Sequence, residues 1–155
     1  AISSSIRRSI PAFLDSKIHH NNMLSLVIAK MHANIAGYDA AVMLDERGFV
    51  AELNDTNLFM LKANKIFTPF PHACLPGITR GTFIELLKEN NIEIQERDLT
   101  LVEFINADLV FATGTNGEIT PVTEMDGRPI KCDQDFLEKI KNLFEAKLPS
   151  LCEPL

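Results

Sequence analysis

Several places in the chain carry groups whose types and spacing suit chemistry. Lys17 stands where a polar lead-in meets a helical pattern, followed by Ile18, His19, His20 and Asn21, and it offers a primary amine that can form an imine. Glu52 interrupts the apolar run GFVAEL, where a carboxylate could keep a ring nitrogen protonated. Asn57 follows the turn NDT. Pro76 and Gly77 break the chain just before Ile78 and Thr79 open a helical pattern. Unpaired N–H groups, the positive end of the helix dipole, a glycine for close approach and a hydroxyl donor together suit an anion, most often phosphate. Thr113, Gly114 and Thr115 form a second cluster of small donors after a strand. Each feature also has an ordinary reading: a solvated lysine, an outward-facing glutamate, a turn-capping asparagine, a plain helix start and a strand end.

The elements that must position these groups follow from periodicity. Residues 1 to 16 read as an extended, polar lead-in, with Arg7 and Arg8 adjacent and Pro11 opposing a helix. From Asn21 or Asn22 to Ala36 the apolar positions Met23, Leu24, Leu26, Val27, Ile28, Met31 and Ile35 repeat with helical period, and Gly37 closes the helix. DAAVMLD, GFVAEL, NLFMLKA and KIFTP read as strands of a meander, separated by ERG, NDT and AN. A helix from Ile78 or Thr79 to Asn90 or Asn91 follows, then a strand in IEIQERD, a Thr-capped helix in LTLVEFINA, a strand in DLVFATG, a strand pair with a DG turn in EITPVTEMDGRPI, and an amphipathic helix in DQDFLEKIKNLFEAKL. The expectation is a single α/β (α+β) domain over residues 1–155, a mixed sheet flanked by helices.

Composition narrows the class. A chain of 155 residues, 46% hydrophobic and 23% charged, has enough apolar material for one core. Its net charge of −6, without a block of Lys or Arg, argues against nucleic acid or an anionic membrane as partner. Cys74, Cys132 and Cys152 lack a CxxC or His-rich setting, so neither a disulfide framework nor a metal site is expected, and the cytoplasm is the expected compartment.

Lys17, Glu52 and Thr79 supply one each of what pyridoxal phosphate chemistry needs: an imine-forming amine, a carboxylate for the ring nitrogen and a phosphate cup. GYDAAVMLDERGFVAELNDTNLFML, TP, CLPGITRG and ATGTNGEITPVTEMDGRPI, in that order, resemble the carboxy-terminal, large domain of the class IV, fold type IV aminotransferases. That superfamily contains branched-chain aminotransferase, D-amino-acid aminotransferase and aminodeoxychorismate lyase. The resemblance covers about residues 3 to 130. It implies pyridoxal 5'-phosphate as cofactor, with Glu52 on the pyridine nitrogen, Asn57 in the following loop, Leu75 against the ring, and Gly77, Ile78 and Thr79 at the phosphate. It also implies that Thr113, Gly114, Thr115 and Asn116 meet the substrate carboxylate, Thr115 touching the phosphate as well. Asn116 stands where the family usually carries a small or apolar residue.

The lysine has two possible registers. Lys17 as imine former places Asn21 four residues on, as in the branched-chain members, although Asn22 stands where a tyrosine is usual. Counting back from Ala29 and Lys30 instead puts the lysine position at His19, whose imidazole cannot form the internal imine. Lys17, the single lysine of the lead-in, is the preferred candidate. Members of the family also carry an amino-terminal domain that nothing here resembles, so the chain reads as an isolated large domain. The implied activity is transamination between a small amino acid, branched-chain or D-amino-acid in type, and a 2-oxo acid, at a homodimer interface. The alternatives are elimination of the aminodeoxychorismate lyase kind and a truncated, non-catalytic assembly or cofactor-binding domain.

Overall fold

The computed structural model describes residues 1–18, 20–115 and 118–150. The elements in chain order are β1 (Ile2–Arg7), α1 (Leu24–Ile35), β2 (Ala41–Leu44), β3 (Val50–Leu53), β4 (Asn57–Lys62) and β5 (Lys65–Thr68). Then come α2 (Ile78–Glu89), β6 (Ile94–Glu96), α3 (Leu101–Ile105), β7 (Leu109–Gly114), β8 (Glu118–Pro121), β9 (Glu124–Met125), β10 (Arg128–Pro129) and α4 (Gln134–Lys147). They form a three-stranded sheet ordered β1-β2-β3, a five-stranded sheet ordered β6-β5-β4-β7-β8, and a two-stranded ribbon of β9 and β10. Both larger sheets are mixed. The parallel pairs β1·β2 and β5·β6 are each bridged by a helix, α1 and α2, because parallel neighbours need a long crossover.

The lead-in is more ordered than its polar composition suggests, since Ile2–Arg7 pairs with β2 as a true strand. The four consecutive strands are not one meander. β2 and β3 pair in the smaller sheet and β4 and β5 in the larger, and the chain passes between sheets at residues 54–56. The buried Asn54 amide fixes this crossing, its Oδ1 accepting from the Ala41 N–H at 2.9 Å. The turns behave as their residues dictate: Gly48 is left-handed between β2 and β3, and Asp126 and Gly127 both have positive φ between β9 and β10, as a two-residue DG hairpin requires.

Strands β4 and β7 form the centre of the larger sheet and are buried on both faces, which is why they read as nearly continuous apolar runs. Phe59, Leu61 and Phe111 pack on one side against Phe83 of α2 and Phe144 of α4. Leu58, Met60 and Val110 pack on the other with Leu53, Leu99 and Phe104. Thr100 caps α3 in a reciprocal capping box with Glu103, and Asp133 caps α4. Helix α1 lays its small residues, Ala29 and Ala33, on the smaller sheet and leaves Leu24, Val27, Met31 and Ile35 exposed. Among the described residues no helix is long and apolar enough to cross a membrane.

Candidate active site

The site lies on the seam between the two sheets. Glu52 ends one side of the crossing on β3, and Asn57 begins the other on β4. The Asn57 Nδ2 group donates to Glu52 Oε2 at 3.2 Å and to the Leu75 carbonyl at 3.0 Å, tying both sheets to the loop that leads into α2. Arg8, one residue beyond β1, reaches across with Nη2 at 2.8 Å from Glu52 Oε1, while its Nε donates to the Ala73 carbonyl at 3.0 Å. Both members of this ion pair are buried. Burial outweighs the attraction of Arg8 and the Leu75 backbone and raises the Glu52 carboxyl to about 7, so it holds or releases a proton near neutrality.

A cavity of about 360 Å³ opens above this seam. Glu52, Asn57 and Leu75 form one part of its wall, and Gly77, Ile78 and Thr79 at the start of α2 form another. Gly77 is required there by contact, because a Cβ at this position would lie 2.5 Å from Asn57 Oδ1. No side chain caps the start of α2, which leaves its first N–H groups for a ligand. Thr113, Gly114 and Thr115 complete this side. Thr113 is the antiparallel partner of Asn57, and its Oγ1 is buried without a hydrogen-bond partner. A buried orphan hydroxyl on a cavity wall is costly unless something polar enters. A Cβ on Gly114 would fall 2.7 Å from Thr56 Cγ2, so a larger residue there would disturb the crossing.

Glu52, Asn57, Leu75, Gly77, Ile78 and Thr79 line one cavity together with Thr113 to Thr115. Asn116 lies outside the described residues, as does His19. Lys17 is not brought to this cavity. Its side chain is exposed and lines a separate depression with Pro11, Asp45, Arg47 and His72. The physical reason is alternation. In the turn after Asp15, Ser16, Ile18 and His20 face the cavity, and Lys17, between them, points away. Asp15 fixes that turn, its side chain accepting from the Lys17 N–H at 3.0 Å and its carbonyl from the Ile18 N–H at 3.0 Å. Arg8 is the buried residue of the cavity wall that the pattern alone did not single out. Its signal was an Arg pair at the end of an alternating strand, of which one member must turn inward.

Among the described residues no group of three metal-ligating side chains is present. Cys74 is buried beside the seam, and burial together with the Glu52 charge pushes its thiol up to about 12, so it is no nucleophile at neutral pH. The chemical capacity that remains is anion binding at the start of α2, proton exchange at Glu52, and hydrogen bonding from Thr113.

Comparison with known proteins supplies the relatives. Residues 1–125 match the family model described as amino-transferase class IV. An Arabidopsis thaliana protein named branched-chain-amino-acid aminotransferase-like protein 2 is 50% identical over 129 residues, covering 83% of this chain and 23% of that protein. A putative branched-chain-amino-acid aminotransferase of Methanocaldococcus jannaschii is 42% identical over 148 residues, covering 94% of this chain and 51% of that protein. The solved Escherichia coli branched-chain amino acid aminotransferase superposes with a TM-score of 0.89 at 35% identity, covering 94% of this chain and 51% of that one. The Thermobaculum terrenum branched-chain amino acid aminotransferase, solved in its PLP-form, gives a TM-score of 0.89 at 29% identity, over 95% and 49% of the two chains. The chain thus spans about half the length of the archaeal relative and of both solved structures.

Proposed function

Because the chain belongs to the class IV aminotransferases, we propose that its cavity holds pyridoxal 5'-phosphate and that the domain serves amino-group transfer between a small amino acid of the branched-chain type and a 2-oxo acid. The convergence of Glu52, the uncapped start of α2 and the orphaned Thr113 hydroxyl on one cavity carries this proposal. The donor set fits the cofactor at both ends.

In this reading the first N–H groups of α2 and the Thr79 hydroxyl bind the phosphate, aided by Thr115. Leu75 packs against the ring. Glu52 holds a proton between its carboxylate and the pyridine nitrogen, and a carboxyl poised near 7 suits sharing that proton. Arg8 and Asn57 orient Glu52, one on each oxygen. Thr113, Gly114 and Asn116 receive the substrate carboxylate. The cofactor, when bound, supplies an aldehyde that exchanges the amino group and a protonated ring that withdraws electrons.

A second copy is proposed as partner. The stripe Leu24, Val27, Met31 and Ile35 on α1 is an apolar face of the kind that homodimer interfaces cover, and sedimentation equilibrium checks the pairing. For the site itself, equilibrium dialysis should show saturable binding of pyridoxal phosphate, weakened about tenfold or more by Glu52→Gln. Absence of saturable binding overturns the assignment. Release of pyruvate from aminodeoxychorismate, in place of amino transfer to a 2-oxo acid, would assign the reaction as elimination.

A further inference from the structure

Resting on the cofactor reading above, we propose that this chain holds pyridoxal phosphate without a covalent bond, so that the aldehyde and amine forms of the cofactor occupy the cavity with similar affinity.

The distribution of primary amines carries the inference. Every lysine of the sequence lies among the described residues, and none lines the cavity. Lys17, the nearest in sequence to the wall, lies in the separate depression beside Asp45 and Arg47. Lys62 and Lys131 approach Asp108, Lys65 pairs with Glu93 and Lys147 with Glu89, all at the surface. Lys30 donates to the Asp39 carbonyl, Lys88 and Lys139 stand exposed on α2 and α4, and Lys141 lies half-buried on α4 away from the cavity lining.

What the turn after Asp15 does present to the cavity is a hydroxyl, an alkyl group and an imidazole, from Ser16, Ile18 and His20. None of these completes an imine. Forming C=N from an aldehyde requires a nitrogen that bonds to the carbonyl carbon and then gives up two hydrogens, which leave with the carbonyl oxygen as water. A ring nitrogen of neutral imidazole carries at most one hydrogen, so addition to the aldehyde can only reverse. The cofactor is then retained by what its phosphate and ring touch, and the aldehyde and amine forms share those groups. The wall is polar enough to receive either form, since His20 Nδ1, like Thr113 Oγ1, is buried and has no partner. An aldehyde oxygen calls for a donor and an amine for an acceptor, and imidazole offers one or the other by tautomer.

The experiment compares the two forms directly. Equilibrium dialysis of the protein with pyridoxal phosphate and with pyridoxamine phosphate should give dissociation constants within about threefold of each other. Borohydride reduction at saturating pyridoxal phosphate, followed by peptide mass spectrometry, should leave no phosphopyridoxyl label that pyridoxamine phosphate competes away. His20→Lys and, separately, Ile18→Lys at the more exposed position place an amine on the same wall. Either should raise the preference for the aldehyde form by about tenfold or more and take the reducible label at the new lysine. A competed label at Lys17 in the unaltered chain, with the aldehyde form bound about tenfold or more tighter, overturns the inference while leaving the cofactor reading intact. Failure of both forms to bind overturns the cofactor reading itself, and the inference with it.

Discussion

The two sides of the cavity are built differently. On the seam side, Glu52, Asn57 and Arg8 are buried and linked by bonds between residues far apart in sequence: Arg8 to Ala73 and Glu52, and Asn57 to Leu75. On the other wall, residues 9 to 18 hold themselves by local bonds, Phe13 and Leu14 N–H to the Ile10 carbonyl, Ile18 N–H to the Asp15 carbonyl, and Ser16 Oγ to the Ser9 carbonyl. Apolar side chains there face water, Phe13 at 87% exposure and Ile18 at 59%. The fold thus preorganises the groups that would bind a ring and a phosphate, and it leaves to a locally held turn the place from which an amine would have to reach them.

The largest effect expected from breaking this contrast is on the seam. Arg8→Ala removes the cationic partner of Glu52, and above pH 7, where the carboxyl is ionised in the native protein, the loss should approach about 3–5 kcal/mol, shrinking at lower pH as Glu52 takes up a proton. Urea denaturation measures it, and adding Glu52→Gln to the same variant should restore a substantial part, because the stranded charge is then gone. Equal instability of the single and double variants would mean that Arg8 acts through packing and its bond to Ala73 instead.

The next effect is a pH dependence. Glu52 ordinarily titrates near 4.5 and is raised to about 7 by burial, so between those values the folded protein keeps a proton that the unfolded chain has released. Stability contributed by this group is therefore fully present below about 4.5 and falls as pH rises towards 7, by a total on the order of 3 kcal/mol. Glu52→Gln should flatten the stability profile across that window. A slope that survives the substitution belongs to other groups.

The same contrast governs what was legible beforehand. Glu52, Asn57, Gly77, Thr79 and Thr113 could be picked out because each breaks a local pattern, a charge in an apolar strand or a glycine before a helix, and the patterns reflect long-range burial. The crossing between sheets at residues 54–56 was not legible, since β2 to β5 look alike in sequence and only the pairing decides which sheet each joins. Arg8 was hidden because its partners lie in strands and loops far along the chain. The orientation of Lys17 was not legible for the opposite reason: between Pro11 and Asn22 no periodicity fixes which of two neighbouring residues turns inward, and a shift of one position reverses the answer.

The smallest effect tests the wall. Phe13 makes no core contact to lose, so Phe13→Ala should change stability by no more than about 0.5 kcal/mol. Native-state hydrogen exchange then separates the two sides. The Phe13, Leu14 and Ile18 amides are bonded only to carbonyls three or four residues away, and each can open without disturbing the sheets. They should exchange at local-opening rates, whereas Leu58 to Leu61 on β4, paired with β7 and wholly buried, should exchange only on global unfolding. Equal protection on both sides would mean that the wall is fixed as firmly as the seam. Saturating pyridoxal phosphate should slow the Ile18 amide if the wall closes on the ligand, and leave the β4 amides shifted only by the gain in global stability. A change confined to β4 would place the bound ligand's contacts entirely on the seam, with Ser16, Ile18 and His20 as bystanders.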